Sequence, residues 1–360
     1  MTLRDIAHQR LINQQITSTK FKTAKEVVQW LGAVQAQDYY MAKWAIGLRM
    51  LNATDQLLED AISKAEIIRT HVMRPTWHFV PAEDIRWMLK LTAPHIKTSI
   101  KSYQEKLGLN AKIFNRTNAI IEKLLQNNNY LTRAQIVSEL KKKKISVDNL
   151  QATHIMFDVE LNGIVCNGPM REKQFTYALV DERVPLTKSV TREEALFKLS
   201  KKYFNSHGPA TVQDFAWWSG LPAADARLGL EMAKEKLIGE KVDNKIYWLD
   251  GALNSAKSFN QTTPLFLPAY DEFMISYTHR SASLDPRFSK IILVGNGIFR
   301  PIIVVDGKVI GIWLRTIKKD HVAITVKFFS SKQKLKKSEI ELLMEPYSKF
   351  LNLELLIKSQ

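Results

Sequence analysis

A single cysteine, Cys166, stands among 360 residues. An intrachain disulfide and a thiolate-rich metal site are therefore excluded, and Cys166 reads as a small buried residue. The eight histidines are scattered without metal-ligand spacing, so neither metal nor cofactor is expected. The 14 glycines form no phosphate cradle and no nucleophile elbow, which argues against a nucleotide hydrolase or an esterase. No window approaches a run of about 18 apolar residues, and the first ten residues, MTLRDIAHQR, are polar from the start. Neither a spanning helix nor a signal peptide is expected; the expectation is a cytoplasmic, nucleoid-associated protein with no membrane partner. Acidic residues are outnumbered 36 to 52 by basic ones, giving a net charge of +16 and a pI near 9.6. Such an imbalance suits a binder of polyanions, nucleic acid first among them; the plain alternative is a basic protein with solvated lysines.

What is present is a pattern repeated three times. TAKEVVQWLGA from Thr23, TRAQIVSEL from Thr132 and TVQDFAWWSGL from Thr211 each open with threonine, followed three residues later by Glu26, Gln135 and Asp214. The first two fit a capping box, and Asp214 is a shorter substitute suited to a helix N-terminus. Each start is flanked by a helical run on either side, after which the apolar period falls from about 3.6 toward two, as in a hairpin. The first copy carries an extra helical stretch, TDQLLEDAISKA. Three helices closed by a hairpin make a winged helix. Beyond Leu253, β-branched runs broken by NG and DG predict a small antiparallel barrel or curled sheet with a last amphipathic helix. The expectation is an α+β chain: winged helices at 1–92, 93–188 and 189–253, then a β-barrel-like domain with terminal helix at 254–360.

Within the first copy, LGAVQAQDYY sets Gln35 and Gln37 two apart. On a helix they would point about 200° from each other; in an extended segment they share a side. If the helix from Thr23 ends near Gly32 or Val34, both amides project one way with Ala36 behind them. A carboxamide cannot act as a base at neutral pH, yet its oxygen accepts hydrogen bonds from water and puts partial negative charge beside a developing cation. The bond to be broken must then already be activated. An N-alkylated purine meets that condition: it is a cationic leaving group whose departure leaves an oxocarbenium-like sugar. By itself a glutamine pair in a loop is more often merely solvated.

LGAVQAQD, RPTWHFV, CNGPMREKQFTYALVDERVP, HGPATVQDFAWWSGLP, LPAYDEFMISY and GIFRPIIVVDGKVIGIW together resemble the bacterial AlkZ-like and YcaQ-like winged-helix DNA glycosylases, over almost the whole chain. The resemblance implies a base-excision enzyme for alkylated purines, in some members for interstrand crosslinks, built around a basic concave channel. It also implies a Gln-x-Gln or Gln-x-Asp catalytic motif. Gln35, Ala36 and Gln37 match the first form, which points toward the crosslink-unhooking branch. Two departures stand out. Where the family often has Arg-Gly-Thr-x-His, this chain has Arg74, Pro75, Thr76, Trp77 and His78, and Asp38 follows the glutamines directly. A helix ending one residue later would bring Asp38 into the site as the alternative catalyst.

Other candidates follow from alternation and position. Arg74, Thr76 and His78 share one side of the first hairpin and are expected to meet DNA phosphate, against the alternative of a solvated wing. In the second hairpin Met170 is expected at an apolar tip between Arg171 and Lys173, suited to wedging into a damaged duplex; an ordinary surface turn is the alternative. Trp217 and Trp218 are expected in the core, the carboxylates of AYDEF in structural or orienting contacts, and the lysines at 141–144 at a solvated helix end. The leading function is a monofunctional, monomeric DNA glycosylase acting on double-stranded DNA that carries alkylated purines. The competing one is a winged-helix transcription regulator without catalysis.

Overall fold

The computed structural model describes residues 1–17, 19–253, 262–331 and 333–358. Its first unit runs α1 (Leu3–Asn13), α2 (Ala24–Leu31), β1 (Val34–Gln35), α3 (Tyr39–Gly47), α4 (Asp55–Ser63) and a hairpin of β2 (Ile67–His71) and β3 (Trp77–Pro81). The second comprises α5 (Ile85–Lys106), α6 (Ala111–Leu125), β4 (Leu131–Thr132), α7 (Arg133–Lys142), α8 (Asn149–Leu161) and the hairpin β5 (Val165–Asn167) and β6 (Thr176–Leu179), ending in the short α9 (Val180–Arg183). The third has α10 (Arg192–His207), α11 (Val212–Ser219), α12 (Ala223–Ala233), β7 (Leu237–Val242) and β8 (Lys245–Asp250). Helices α2, α7 and α11 start at Thr23, Thr132 and Thr211. Each threonine accepts from the backbone N–H three residues on, and Glu26, Gln135 and Asp214 return the bond. Losing such a cap costs about 1 kcal/mol. α5 runs through the boundary expected at residue 92.

Each hairpin pairs with a further segment, but not from the same place. In the second unit β4, just before α7, pairs with β6, giving the order β4-β6-β5. In the third, Ala210, just before α11, bridges to Trp248. In the first, the added strand is β1, which comes after α2, and the order is β1-β3-β2. The displaced strand is the glutamine segment. It lies at a sheet edge beside the hairpin because the chain reaches the sheet one helix later than in the other two units.

The C-terminal part contains β9 (Leu265–Leu267), α13 (Glu272–Ile275), α14 (Ser289–Ile292), the small pair β10 (Leu293–Val294) and β11 (Ile298–Phe299), then β12 (Ile302–Val305), β13 (Lys308–Ile317), β14 (His321–Phe328), α15 (Lys337–Leu351) and β15 (Glu354–Ile357). Asp306 and Gly307, both at positive φ, turn β12 into β13, as a DG pair does in a two-residue hairpin. Of the barrel or curled sheet expected, the chain forms an open five-stranded sheet, β15-β14-β13-β12-β9, with β9 and β15 as its edges and β15 parallel to β14.

The units share their cores. One apolar cluster joins Ile68, Val72 and Met73 of the first unit to Phe157 of the second and Tyr203, Phe215 and Trp218 of the third. Another joins Val27, Trp44 and Phe79 to Trp313, Tyr347 and Phe350 of the C-terminal part. Truncating one such aromatic costs about 3–5 kcal/mol, so side chains between units are held from several directions. Among the described residues no helix is long and apolar enough to cross a membrane.

Candidate active site

α2 stops at Gly32, whose φ of 83° suits glycine and whose missing Cβ leaves room for the Trp218 ring. Val34 and Gln35 then form the extended β1, and Gln37 and Asp38 lie in the bend that leads into α3. Ala36 N donates to Trp77 O at 2.7 Å, and Ala36 O accepts from Arg69 Nε and Nη2 at 3.2 and 3.0 Å. Ala36 is buried, Gln35 keeps 7% of its surface, and Gln37 is exposed. Asp38 is engaged elsewhere, as the N-cap of α3, where it accepts from Met41 N at 3.0 Å with Arg315 Nη2 3.7 Å away.

Thr70, His78 and Gln35 lie directly opposite one another across β2, β3 and β1, so their side chains leave the sheet on one side. Thr70 Oγ1, His78 Nε2 and Gln35 Oε1 are all buried without a protein partner, and so are Thr76 Oγ1 and Arg74 Nε and Nη2 in the adjoining loop. Buried polar groups are nearly always paired; a concentration of unpaired ones marks a site rather than a packing surface. Burial, reinforced by Arg74, lowers the pKa of His78 to about 3, with Glu272 and the Thr76 carbonyl opposing. The ring is therefore neutral at physiological pH. Burial also lowers the Arg74 pKa.

The first hairpin does not project into solvent. Its loop folds through two three-residue turns, Arg74 N to Val72 O and Thr76 N to Arg74 O, both 2.7 Å, with Met73 at φ 66°. Met73 N donates to Thr92 Oγ1 at 3.1 Å, and Met73 O lies where a Cβ on Gly220 would meet it at 2.0 Å. The third unit thus covers the loop. His78 is buried and uncharged, which excludes the expected phosphate contact in this conformation, and Thr76 is likewise turned inward.

Below the strand lies α13. Glu272 Oε1 accepts from Gln35 N at 2.8 Å, while Oε2 accepts from Trp218 Nε1 at 3.2 Å and from Ser276 Oγ. Burial raises the pKa of a carboxyl group, but the neighbouring His207, with donation from Ser276 and the Gln35 backbone, prevails and holds Glu272 well below the usual range. His207 Nε2 lies 3.6 Å away; burial also depresses that imidazole, whose own pKa falls despite the carboxylate. Asp271 forms a two-pronged pair with buried Arg49, at 2.9 Å for both contacts. Asp271 makes the contact to a basic residue expected of the AYDEF carboxylates, although from the start of a short helix and not from a strand.

Gln37 opens onto a cavity of about 620 Å³ that also presents Asp38, Arg69, Phe175, Tyr270, Arg300 and Arg315. Three guanidiniums make it electropositive, and the rings offer stacking faces. Phe175 contacts Tyr39 edge to face at 4.9 Å, with Arg69 Cζ 5.0 Å from its ring. Burial brings the Arg69 pKa down to about 10, which still leaves it charged at neutral pH. A separate cleft of about 480 Å³ between α3, β9 and α15 is lined chiefly by apolar groups such as Trp44, Phe266 and Leu342 and lacks this polar set.

A family model described as DNA glycosylase AlkZ-like matches residues 28–350. The chain belongs to the AlkZ-like DNA glycosylase family. Family membership makes it an enzyme of the N-glycosyl hydrolase class. It is 22% identical over 307 residues to a Streptomyces sahachiroi protein named interstrand DNA cross-link repair glycosylase, covering 81% of this chain and 82% of that one. The solved structure of Streptomyces sahachiroi DNA glycosylase AlkZ matches with a TM-score of 0.83 at 19% identity, over 99% of both chains; at that identity the likeness speaks for the fold.

The remaining expected site residues of this AlkZ-like chain lie on the second hairpin. Its tip is Glu172–Lys173, both at positive φ, closed by paired bonds between Arg171 and Gln174. Met170 is not the tip. It is half-buried against the cluster shared by the first unit and the C-terminal part, so the apolar wedge expected there is absent from the exposed end. Arg171 donates to Tyr130 O at 3.1 Å and faces the Tyr130 ring, while Lys173 is exposed. Residues 141–144 are largely exposed at the end of α7.

Trp218 is fully buried, as expected, but Trp217 is 45% exposed, its Nε1 tied to Ile275 O and its ring flanked by Arg74 and Arg280 at 5.8 and 5.9 Å. Neighbours on a helix point about 100° apart, a signal that could have separated this pair. Arg69, Phe175, Tyr270, Arg300 and Arg315 had no local signal. They converge from three parts of the chain.

Proposed function

We propose that this chain is a monofunctional DNA glycosylase that hydrolyses the N-glycosidic bond of cationic N-alkylated purines in duplex DNA, as a step of base excision repair. Its three hairpin-closed units are winged helices, they and the C-terminal sheet surround a basic concave channel, and the enzyme works as a monomer on DNA in the cytoplasm. The observation that carries this reading is a Gln-Ala-Gln segment leaving a sheet edge, with Gln37 exposed on an arginine-lined cavity and the Gln35 backbone held by Glu272. The name of the Streptomyces sahachiroi relative extends the proposal to unhooking interstrand crosslinks.

The chemistry follows from a neutral amide pair. The electrons of the C1′–N9 bond pass to the alkylated base, cancelling its positive charge, so the base leaves neutral and needs no acid. Water, accepted by the carboxamide oxygens of Gln35 and Gln37, adds to the electron-poor C1′ and releases its proton to solvent. The partial negative charge of those oxygens also steadies the oxocarbenium-like sugar. Asp38 is the reserve carboxylate at the cavity, although its Oδ1 is occupied in capping α3. Glu272 is not placed to replace it as a base, because it is buried and both its oxygens already accept from protein donors.

The test is incubation with a duplex containing N7-methylguanine, and with a mustard-crosslinked duplex, followed by separation of free base. Release of the alkylated base, lost in Gln37→Ala, supports the proposal. Tight binding of both duplexes without any product, or an unchanged rate in both Gln35→Ala and Gln37→Ala, overturns it. A footprint on one undamaged sequence would instead favour a regulator.

A further inference from the structure

We infer that His78 is a positioning residue: its Nε2 accepts a hydrogen bond from the Gln35 carboxamide NH2, which turns the Gln35 oxygen outward to the water shared with Gln37. This rests on the proposed role of Gln35 in holding that water.

Four observations lead there. First, Gln35 and His78 are directly opposite on β1 and β3. Because the adjacent pair carries the backbone bond from Ala36 N to Trp77 O, they form the non-hydrogen-bonded type of antiparallel pair, in which side chains approach closest. Second, His78 Nδ1 lies 3.0 Å from Thr76 O. A carbonyl oxygen can only accept, so Nδ1 carries the proton and Nε2 of the neutral ring is a lone-pair acceptor. Third, burial keeps the ring neutral, with Arg74 and His71 pushing the same way and Glu272 opposing. Fourth, His78 Nε2 and Gln35 Oε1 are both enclosed and unpartnered, which sets two acceptors on one side of adjacent strands.

A half-turn of the carboxamide about Cγ–Cδ resolves all of this at once. It exchanges two groups of nearly equal shape, so packing is unchanged. The NH2 then donates to His78 Nε2, and the oxygen points to the remaining opening of Gln35. The Gln35 backbone cannot follow, because Glu272 holds its N–H. An amide free to rotate would present its donor to water half the time; one fixed by His78 presents only its acceptor. Proline and tryptophan around the histidine shape the loop, but the ring nitrogen does the orienting.

A double-mutant cycle tests this. Single-turnover release of N7-methylguanine and the Kd for the same duplex are measured for wild type, His78→Ala, Gln35→Ala and the double variant. The expected result is a loss of about 10- to 100-fold in rate for His78→Ala with Kd within twofold, and a double variant no slower than Gln35→Ala. His78→Gln, whose side-chain oxygen can accept from Gln35, should recover part of the rate. Should His78→Ala melt below the assay temperature, His78→Phe, which keeps a ring without the acceptor, takes its place in the cycle. Independent, additive losses overturn the inference, as does a weakened Kd with an unchanged bound rate, which would make His78 a DNA contact. A wild-type protein that releases no base would instead sink the proposed function; base release with additive variants sinks only the orientation of Gln35.

Discussion

The hairpins β2–β3 and β5–β6 close their units in the same strand order, yet the first keeps its loop under Gly220 of the third unit while the second shows Glu172 and Lys173 to solvent. Topology therefore does not decide what a hairpin does; the surface opposite its tip does. Where a neighbouring unit offers a residue without Cβ, the loop is drawn in and its polar side chains become part of a buried site. Where nothing covers it, two residues at positive φ make a tight exposed end beside a lysine. Under the proposed function the first hairpin serves the chemistry and the second is left to meet DNA.

That division can be broken by substitution. The largest effect is expected for Gln37→Ala, about 100- to 1,000-fold in single-turnover base release, with DNA affinity nearly unchanged in a fluorescence titration. Next comes Gly220→Val. A side chain there must displace the Met73 carbonyl at 2.0 Å and adopt φ +70°, so a stability loss of about 3 kcal/mol or more is expected in urea unfolding. A free wing would show only the backbone cost, about 1–2 kcal/mol.

Glu272→Gln should act through acid stability. In the folded chain the carboxyl group stays ionised well below its ordinary range, so the unfolded chain binds the additional proton. The stabilisation is present above about pH 4.5, the ordinary value, and drains away as pH falls toward 2. The variant should lose stability at neutral pH and show a flatter acid limb by thermal melts between pH 5 and 2.5. The smallest effect is expected for Lys173→Ala. It should lower the slope of log K against log salt by about one and leave the rate of bound substrate alone. A large rate loss there would erase the distinction between the hairpins.

How much of the molecule is legible in the chain differs from residue to residue. The threonine caps, the DG turn and the end of α2 at Gly32 are legible because each is set by neighbours within a few positions. The extended backbone at Gln35 follows from the end of that helix. The fate of the first hairpin is not legible, because it depends on Gly220, far along the chain, and alternation alone therefore assigns His78 to phosphate. Position alone likewise puts Met170 at a tip that the chain places at Glu172–Lys173, a pair whose left-handed backbone has no glycine or asparagine to announce it. Glu272 reads as structural in the sequence, and its contact with the Gln35 backbone is a product of tertiary packing alone.

Burial that raises the Cys166 thiol to about 12 has a chemical corollary for the proposed action on alkylated DNA. Electrophiles that attack purine nitrogens react faster still with an ionised sulfur, and here the sole sulfhydryl remains both protonated and enclosed within the fold. This repair protein carries no thiolate for the poison to find.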